Sequence, residues 1–520
     1  MERVSRKLRH YPIIATLIPV IYALAAGHLV LMGNLNQDEG WYLYAAGLVY
    51  QGKLPYIDFA YFQPPLLPYI YGLPQVLFGP GILVGRLTSF VLGLATIFLA
   101  GALARRLAGD VAAVITTLIL CATATFVWAF TTTRTEPPVT FFTVLALYLL
   151  LGCRRGWAPL LGVLAMGAAA GVRLSCLPGV LLFAGAAFYK YRRRKNLLAL
   201  TGALSAAQLA ILFGLPFVLA PERAIFNLLT SQLSRDVQLE GTHTALPQLA
   251  LLRCIQAPAH LSYYFPATLA GSLVLIILVA LQTGTVWKRR YLFLILLAPA
   301  LYLPNFAVPY NFQEIYFVPS CAVLAILIGC GLADLYHSLR PGQGKTLPLA
   351  LAVSLIVTQA ASFAHTAWTC YIGRHAPQLA GLEEVAGYVA SITPPEAQIV
   401  TLDTYIAVEA NRHVAHGLEM NTFSLFPHLT DEKAREFGVM NDHLFAEALR
   451  DEKTGCVLLT DFDLRILTEH RWYLKKVERP LVKEEILAKL PALRGRWRLD
   501  RTIPDFGQWH DNLYIFRRKD

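Results

Sequence analysis

The sequence predicts a mainly α membrane protein, a polytopic bundle of about eleven spanning helices with interfacial helices in its first outer loop and a small soluble α/β domain at the C-terminal end. Its 520 residues are 56% hydrophobic and 15% charged, with a mean hydropathy of +0.48, far from the balance of a soluble domain. Apolar runs long enough to cross a hydrocarbon core, roughly 20 residues each, recur from Tyr11 to Trp368. From Tyr371 to Asp520 the chain turns charged, mixed and rich in turn residues. Two bodies are therefore expected: residues 1–370 in the membrane and residues 371–520 outside it.

The N-terminus, MERVSRKLRH before a run ending at Met32, has the charged and apolar regions of a signal peptide, but the run is too long and lacks a small-residue cleavage site. It reads as an uncleaved first helix. The spans that follow are Gly81–Ala104, Val111–Phe130, Pro137–Leu151, Trp157–Val172, Leu174–Tyr189, Leu197–Leu219, Tyr263–Gly284, Tyr291–Val308, Glu314–Gly331 and Leu347–Thr369. Basic clusters follow alternate helices: Arg105–Arg106, Arg154–Arg155, Lys190–Lys195, Lys288–Arg290 and Arg340–Lys345. All fall on the side of Arg3, Arg6, Lys7 and Arg9, so the N-terminus is expected in the cytoplasm and the C-terminal domain outside. The formal net charge of +11 is thus spent on topology, and no nucleic-acid partner is expected.

The first outer loop, Gly33 to about Pro80, carries YFQPPLLPYIYGLP and is too apolar for a solvated loop. Short amphipathic helices lying along the interface, anchored by Tyr56, Tyr61, Tyr69 and Tyr71, are expected there. In the C-terminal region Ala397–Leu402, Cys456–Thr460 and Asn512–Phe516 read as strands, and Leu382–Ile392 and Asp442–Arg450 as amphipathic helices. The region contains no P-loop, GxGxxG or HExxH. Eight cysteines lie scattered without CxxC spacing, several (Cys121, Cys176, Cys321, Cys330) inside apolar runs, so neither a disulfide framework nor a structural zinc site is indicated.

Chemistry concentrates at Asn36–Ala46, NQDEGWYLYAA, where adjacent carboxylates Asp38 and Glu39 follow the first apolar run and precede Trp41, Tyr42 and Tyr44. Either Asp38 is a catalytic carboxylate held at the membrane surface, or the acid pair caps a juxtamembrane helix whose N-terminus favours negative charge. A transferase acting on a lipid-linked sugar phosphate needs cations for the phosphate and a base for the acceptor hydroxyl. Asp38 is the candidate base, with Glu39 or Glu136 as second acid. Arg134, Lys53, Arg235 and Arg253 are candidate phosphate ligands, arginine being favoured where bidentate contacts matter. Glu136, ahead of Pro137 and Pro138, also fits a plain helix-start charge, and Arg134 also fits a local pair with it. Arg173 stands either at a helix boundary or buried with a partner, and Arg86 either pairs locally or reaches the first outer loop. His243 and His260 read as loop residues.

The acidic DE pair after the first helix, LPYIDFAYFQPPLLPYI in the first outer loop, GRLTSFVLG opening the second helix and RTEPPVTFFTVLALYLLL opening the fourth resemble the GT-C superfamily of integral membrane glycosyltransferases, in particular its bacterial dolichyl-phosphate-mannose protein mannosyltransferase and aminoarabinose transferase-like group. The resemblance covers about Tyr11 to Gly331. It implies a polyprenyl-phosphate-linked sugar donor, inversion at the anomeric carbon, and transfer on the extracytoplasmic face of a bacterial cytoplasmic membrane to a lipid, glycan or protein acceptor. It carries the first-loop acid onto Asp38, with Glu39 beside it, and the second-loop acid onto Glu136, which lies in TEPP rather than in an Arg-x-Asp pattern. The YFVPSCAVLAIL run is similar to a late helix that opens near the donor, which makes Tyr316, with Tyr42 and Tyr61 of the first loop, a candidate for substrate positioning. No cofactor and no obligatory metal are expected. The competing reading from another class is a transporter or flippase of polyprenyl-linked sugars, against which stand the absence of a sequence repeat and the position of the acids at helix ends.

Overall fold

The computed structural model describes residues 11–233, 289–307, 313–338, 378–469 and 481–519, with isolated helical positions between 350 and 361. The protein is mostly helical with one small sheet near its C-terminus. Helix α1 (Tyr11–Met32) is followed, after a bend of 89°, by α2 (Gln37–Tyr50) and then by α3 (Leu66–Phe78). Helix α4 (Ile82–Ala108) runs back and stops at Gly109, whose φ of 90° disfavours side-chain-bearing residues. Next come α5 (Asp110–Ala122), α6 (Ala124–Thr131), α7 (Glu136–Leu147), which ends in a π-helical turn Tyr148–Gly152, α8 (Ala158–Val172) and α9 (Leu177–Tyr191).

Among the described residues four helices are long and apolar enough to cross a membrane, Ile82–Ala108, Leu174–Tyr191, Lys195–Leu219 and Ile315–His337, and two bent pairs raise this to as many as six. The expected count of eleven is not confirmed among the described residues. Tyr263–Gly284 lies outside the described residues, and Leu347–Thr369 largely so. The expected single span Val111–Phe130 is instead two helices bent by 69° at Thr123. The Thr123 hydroxyl donates back to the Ile119 carbonyl, a local bond that competes with helix continuation. Large apolar side chains such as Leu181, Ile211 and Val218 point outward, as a lipid-facing surface requires.

The first outer loop is helical as expected, but its tyrosines have a different place. Tyr56, Tyr61 and Tyr71 are buried inside the protein and only Tyr69 is exposed, so three of the four expected interfacial anchors are packing groups. Tyr71 is bonded into the bundle by Ser89 and the Arg134 backbone, while the stretch around Phe59 and Ala60 is met by a covering layer at Gly438. The C-terminal part contributes a five-stranded sheet in the order β2-β1-β3-β5-β4. Its strands are β1 (Gln398–Thr401), β2 (His413–Val414), β3 (Thr454–Thr460), β4 (Trp497–Phe506) and β5 (Asp511–Arg518). β1 runs parallel to β2 and β3, while β5 is antiparallel to β3 and β4. The expected strands and helices of this region are all present, within a few residues of their expected ends; the expected boundary at residue 370 lies outside the described residues.

The C-terminal part grips the start of α2. Gln378 accepts from the Leu35 amide at 2.6 Å, Gln508 from the Gln37 amide at 2.7 Å, and Asp403 from the Gln37 side chain at 3.2 Å. Further along, the Tyr44 hydroxyl accepts from the Val414 amide at 3.0 Å. At Gly40 the backbones nearly touch: a β-carbon there would meet the Tyr405 amide and the Thr404 carbonyl carbon. Only glycine allows that approach.

From the membrane side, α2 is held by a buried ion pair. Arg86 of α4 donates to both Glu39 oxygens at 2.8 and 2.7 Å and spends its other N–H groups on the carbonyls of Val30, Gly33 and Asn34. Glu39 also accepts from the Thr133 and Asn36 amides. Every donor of the guanidinium is used, and both side chains are fully buried. Replacing one partner leaves an uncompensated buried charge, so Arg86→Met is expected to destabilise the protein by about 3–5 kcal/mol, read as a lower melting temperature in detergent; an unchanged melt would mean that the pair is not what joins α1, α2 and α4.

The seam beneath the sheet is acidic. Burial pushes the Asp403 carboxyl up to about 6 and the Asp463 carboxyl well above the usual aspartate range, each reinforced by neighbouring aspartates. Folded Asp403 therefore keeps a proton that an unfolded aspartate, near about 4, would release. This group's contribution to stability grows as pH falls through about 6 and is lost as pH rises through it. Full-length protein should melt at a higher temperature at pH ~5 than at pH ~7, and Asp403→Asn should lessen the difference; an equal difference in the variant would place the effect elsewhere.

Candidate active site

The sequence pattern NQDEG builds one turn in which each residue faces a different way. Asn36 caps α2, its side chain accepting from the Asp38 amide at 3.0 Å while Glu39 returns a bond to the Asn36 amide at 3.1 Å. The acid pair therefore does begin a helix. Glu39 then turns inward to Arg86 and Gly40 faces the C-terminal part. Asp38 is left facing the space above the bundle.

Asp38 is held from both sides. Trp41, one turn along, donates from its indole nitrogen to Asp38 Oδ1 at 3.1 Å, and Arg134 Nη1 stands 3.6 Å from Asp38 Oδ2. Arg134 lies in the threonine-rich turn between α6 and α7, its guanidinium 4.2 Å from the centre of the Trp128 ring. The Tyr71 hydroxyl donates to the Arg134 carbonyl at 2.7 Å and accepts from its amide at 3.3 Å, which fixes that turn. Next along the chain, Glu136 opens α7 and pairs with Arg173 Nη1 at 2.5 Å. Arg173 caps the far end of α8 and lies 4.0 Å above the Tyr316 ring. It is thus both the helix boundary and the buried, partnered charge that were alternatives in the sequence.

Exposure separates the charges. The Asp38 side chain is 27% accessible, against 5% for Arg134, 3% for Glu136, 15% for Arg173 and 0% for Glu39. Among these acids, Asp38 alone is open to a substrate. Arg134 Nε is buried without a hydrogen-bond partner, and its Nη1 is too far from Asp38 for a good hydrogen bond. A desolvated guanidinium with unused donors is a ready seat for an anion.

The structure thus gathers Asp38, Arg134, Glu136, Tyr42 and Tyr316. Tyr42 is buried within electrostatic reach of Asp38, Arg134, Glu136 and Arg173. Tyr61 lies one ring further, 5.8 Å from Trp41 between ring centres, with its buried hydroxyl unpartnered. Lys53 is exposed beyond the other end of α2 and does not join the cluster. Arg235 and Arg253 lie outside the described residues. Sequence reasoning gave no site role to Trp41, Trp128 or Tyr71. Arg86 and Arg173 did carry a signal: a charge inside an apolar run must have a partner. Among the described residues no cluster of three or more His, Cys, Asp or Glu side chains is suited to a metal ion.

Residues 62–220 match the family described as dolichyl-phosphate-mannose-protein mannosyltransferase. No curated protein sequence matches the chain. Among solved structures, the chain is similar to ArnT from Cupriavidus metallidurans in the apo state, with 15% identity, a TM-score of 0.58, and coverage of 96% of this chain and 97% of that one. The same protein bound to undecaprenyl phosphate matches with 16% identity and the same TM-score and coverage. The oligosaccharyltransferase of Archaeoglobus fulgidus in its apo form matches with 15% identity, a TM-score of 0.51, and coverage of 88% of this chain and 70% of that one. The expected likeness to GT-C membrane glycosyltransferases is borne out as a likeness, by the matched segment 62–220 and by the fold.

The Glu136–Arg173 pair is nearly dry, so removing one member strands the other. Glu136→Gln and Arg173→Gln should each destabilise by about 3–5 kcal/mol, and the double variant by less than their sum, with a coupling of about 0.5–3 kcal/mol, measured by detergent melting of all four proteins. Additive effects would mean that the two charges do not interact.

Proposed function

We propose that this protein is a membrane glycosyltransferase that moves a sugar from a polyprenyl-phosphate donor to a hydroxyl-bearing lipid, glycan or protein acceptor, with Asp38 as general base. One observation carries the reading: an accessible carboxylate, positioned by Trp41, stands beside a buried arginine whose Nε is unpartnered. Base and anion seat then serve one site. The Asp38 carboxylate takes the acceptor proton while the acceptor oxygen attacks the anomeric carbon; the bond from that carbon to the phosphate oxygen breaks, and polyprenyl phosphate leaves with the electron pair. Attack from the face opposite the phosphate inverts the anomeric centre.

Arg134 receives the phosphate charge in this reading, with Arg173 behind it and Glu136 holding Arg173 in place. Glu39 has both oxygens engaged and is a positioning residue, so the catalytic role weighed for the acid pair falls to its first member. Tyr42 and Tyr316 stand on the sugar side, and Tyr61 packs behind them on Trp41. ArnT of Cupriavidus metallidurans, similar in fold over nearly the whole chain, binds undecaprenyl phosphate, which supports a donor of that class. The transfer face is taken as extracytoplasmic, with the N-terminus in the cytoplasm of a bacterial cell and residues 371–520 forming an outer domain over the site.

Transfer of labelled sugar from a panel of polyprenyl-phosphate sugars into membrane acceptors tests this at matched expression. Asp38→Asn is expected to lower the rate by about a hundredfold or more, while EDTA leaves the wild-type rate unchanged and the product has inverted configuration. Equal transfer by wild type and variant would make Asp38 a helix cap only. Movement of labelled lipid across the bilayer without transfer would replace the enzyme by a transporter.

A further inference from the structure

The face opposite Asp38 holds a large basic cavity. Helix α4 carries Arg86 at one end and Arg106, twenty residues further, in its last turn. At 1.5 Å per residue that is about 30 Å, the thickness of a hydrocarbon core. Helix α7 likewise starts at Glu136 and leads to Arg154 and Arg155, and α8 starts beside Trp157 and ends at Arg173. Each of the three helices therefore has one end at the Asp38 cluster and the other end at this cavity.

The cavity measures about 1040 Å³ and is lined by Arg106, Tyr148, Leu151, Arg154, Arg155 and Trp157 among others, with no acid among the described residues of its wall. The π-helical turn Tyr148–Gly152 shapes it. Its Gly152 carbonyl accepts from Arg106 Nη1 at 2.8 Å, and the Arg106 guanidinium lies 4.7 Å from the Tyr148 ring centre. Arg155 lies 5.5 Å from the Trp157 ring centre, and neither Arg154 nor Arg155 pairs with a carboxylate among the described residues. The nearby acid Asp110 is taken by Arg105 at 2.6 Å. Three arginines thus share one concave wall without a counter-ion among the described residues, and Trp157 and Leu151 give it an apolar rim.

We propose that this cavity binds the headgroup of an anionic phospholipid, a phosphodiester held by Arg154 and Arg155 against the Arg106–Tyr148 floor. Positive pockets between helices at the inner surface suit such headgroups, and arginine can meet the two phosphate oxygens at once. The apolar rim favours a lipid over a free anion, because it continues onto the outward apolar surface where acyl chains would lie. The site lies a bilayer thickness from Asp38 and does not depend on the sugar donor.

The test is native mass spectrometry of the purified full-length protein after addition of phosphatidylglycerol or phosphatidylcholine. Wild type is expected to retain phosphatidylglycerol in preference, and R154Q/R155Q to lose roughly thirtyfold in affinity, the size expected of removing two interfacial arginines. The exposed pair Arg192 and Arg193 follows α9 on the same face, and R192Q/R193Q should retain the lipid as wild type does. Equal loss in both double variants, or no loss in either, would overturn the site in favour of diffuse surface charge. Full displacement of the lipid by millimolar inorganic phosphate would overturn the lipid assignment and leave a free-anion site.

Discussion

The structure depends on one buried ion pair. Glu39 and Arg86 lie where water cannot reach them, so each charge must be matched by the other and by hydrogen bonds. The matching is complete, and it is directional. Arg86 can donate to the carbonyls of Val30, Gly33 and Asn34 only if the chain breaks after α1, and to Glu39 only if α2 leaves at a steep angle. The bend of 89° follows from that geometry. So does the outward aim of Asp38, whose neighbour cannot turn away from Arg86.

A second consequence is a division of labour between charges of the same type. Glu39 and Arg86 are saturated with partners, which makes them inert supports. Asp38 and Arg134 are close but not saturated: the carboxylate keeps some solvent access and the guanidinium keeps an unused donor. Saturation stabilises a fold, while an unfilled donor in a desolvated site retains affinity for something else. The aromatic neighbours set the geometry, Trp41 holding the carboxylate and Trp128 and Tyr71 the arginine.

The C-terminal part closes the same region from above. Gly40 lets its backbone come into contact with α2, and Gln378, Gln508 and Asp403 take the bonds that the helix start would otherwise give to water. Burial turns Tyr56, Tyr61 and Tyr71 of the first loop from surface anchors into packing groups. Helix length sets the other boundary. The helices that begin or end at the Asp38 cluster reach their basic ends about 30 Å away, where Arg154 and Arg155 have no carboxylate partner among the described residues.

Much of this could be read from the chain. Apolar run length identified the membrane part, alternating and helical periodicity located strands such as Cys456–Thr460 and helices such as Asp442–Arg450, and the DE pair with the order of its flanking motifs pointed to Asp38 and Glu136. These are local properties, fixed by neighbours in sequence. The broken span at Thr123 escaped because hydropathy is blind to a side chain bonding its own backbone. The different occupations of Asp38 and Glu39 escaped as well: adjacent carboxylates look alike until it is known which faces Arg86, 47 residues away, and which faces open space. The sequence determined which charges the membrane part contains and at which helix ends they stand; only the tertiary structure decided their partners, because a charge in a low-dielectric interior takes its role from whatever counter-charge packing brings within a few ångströms.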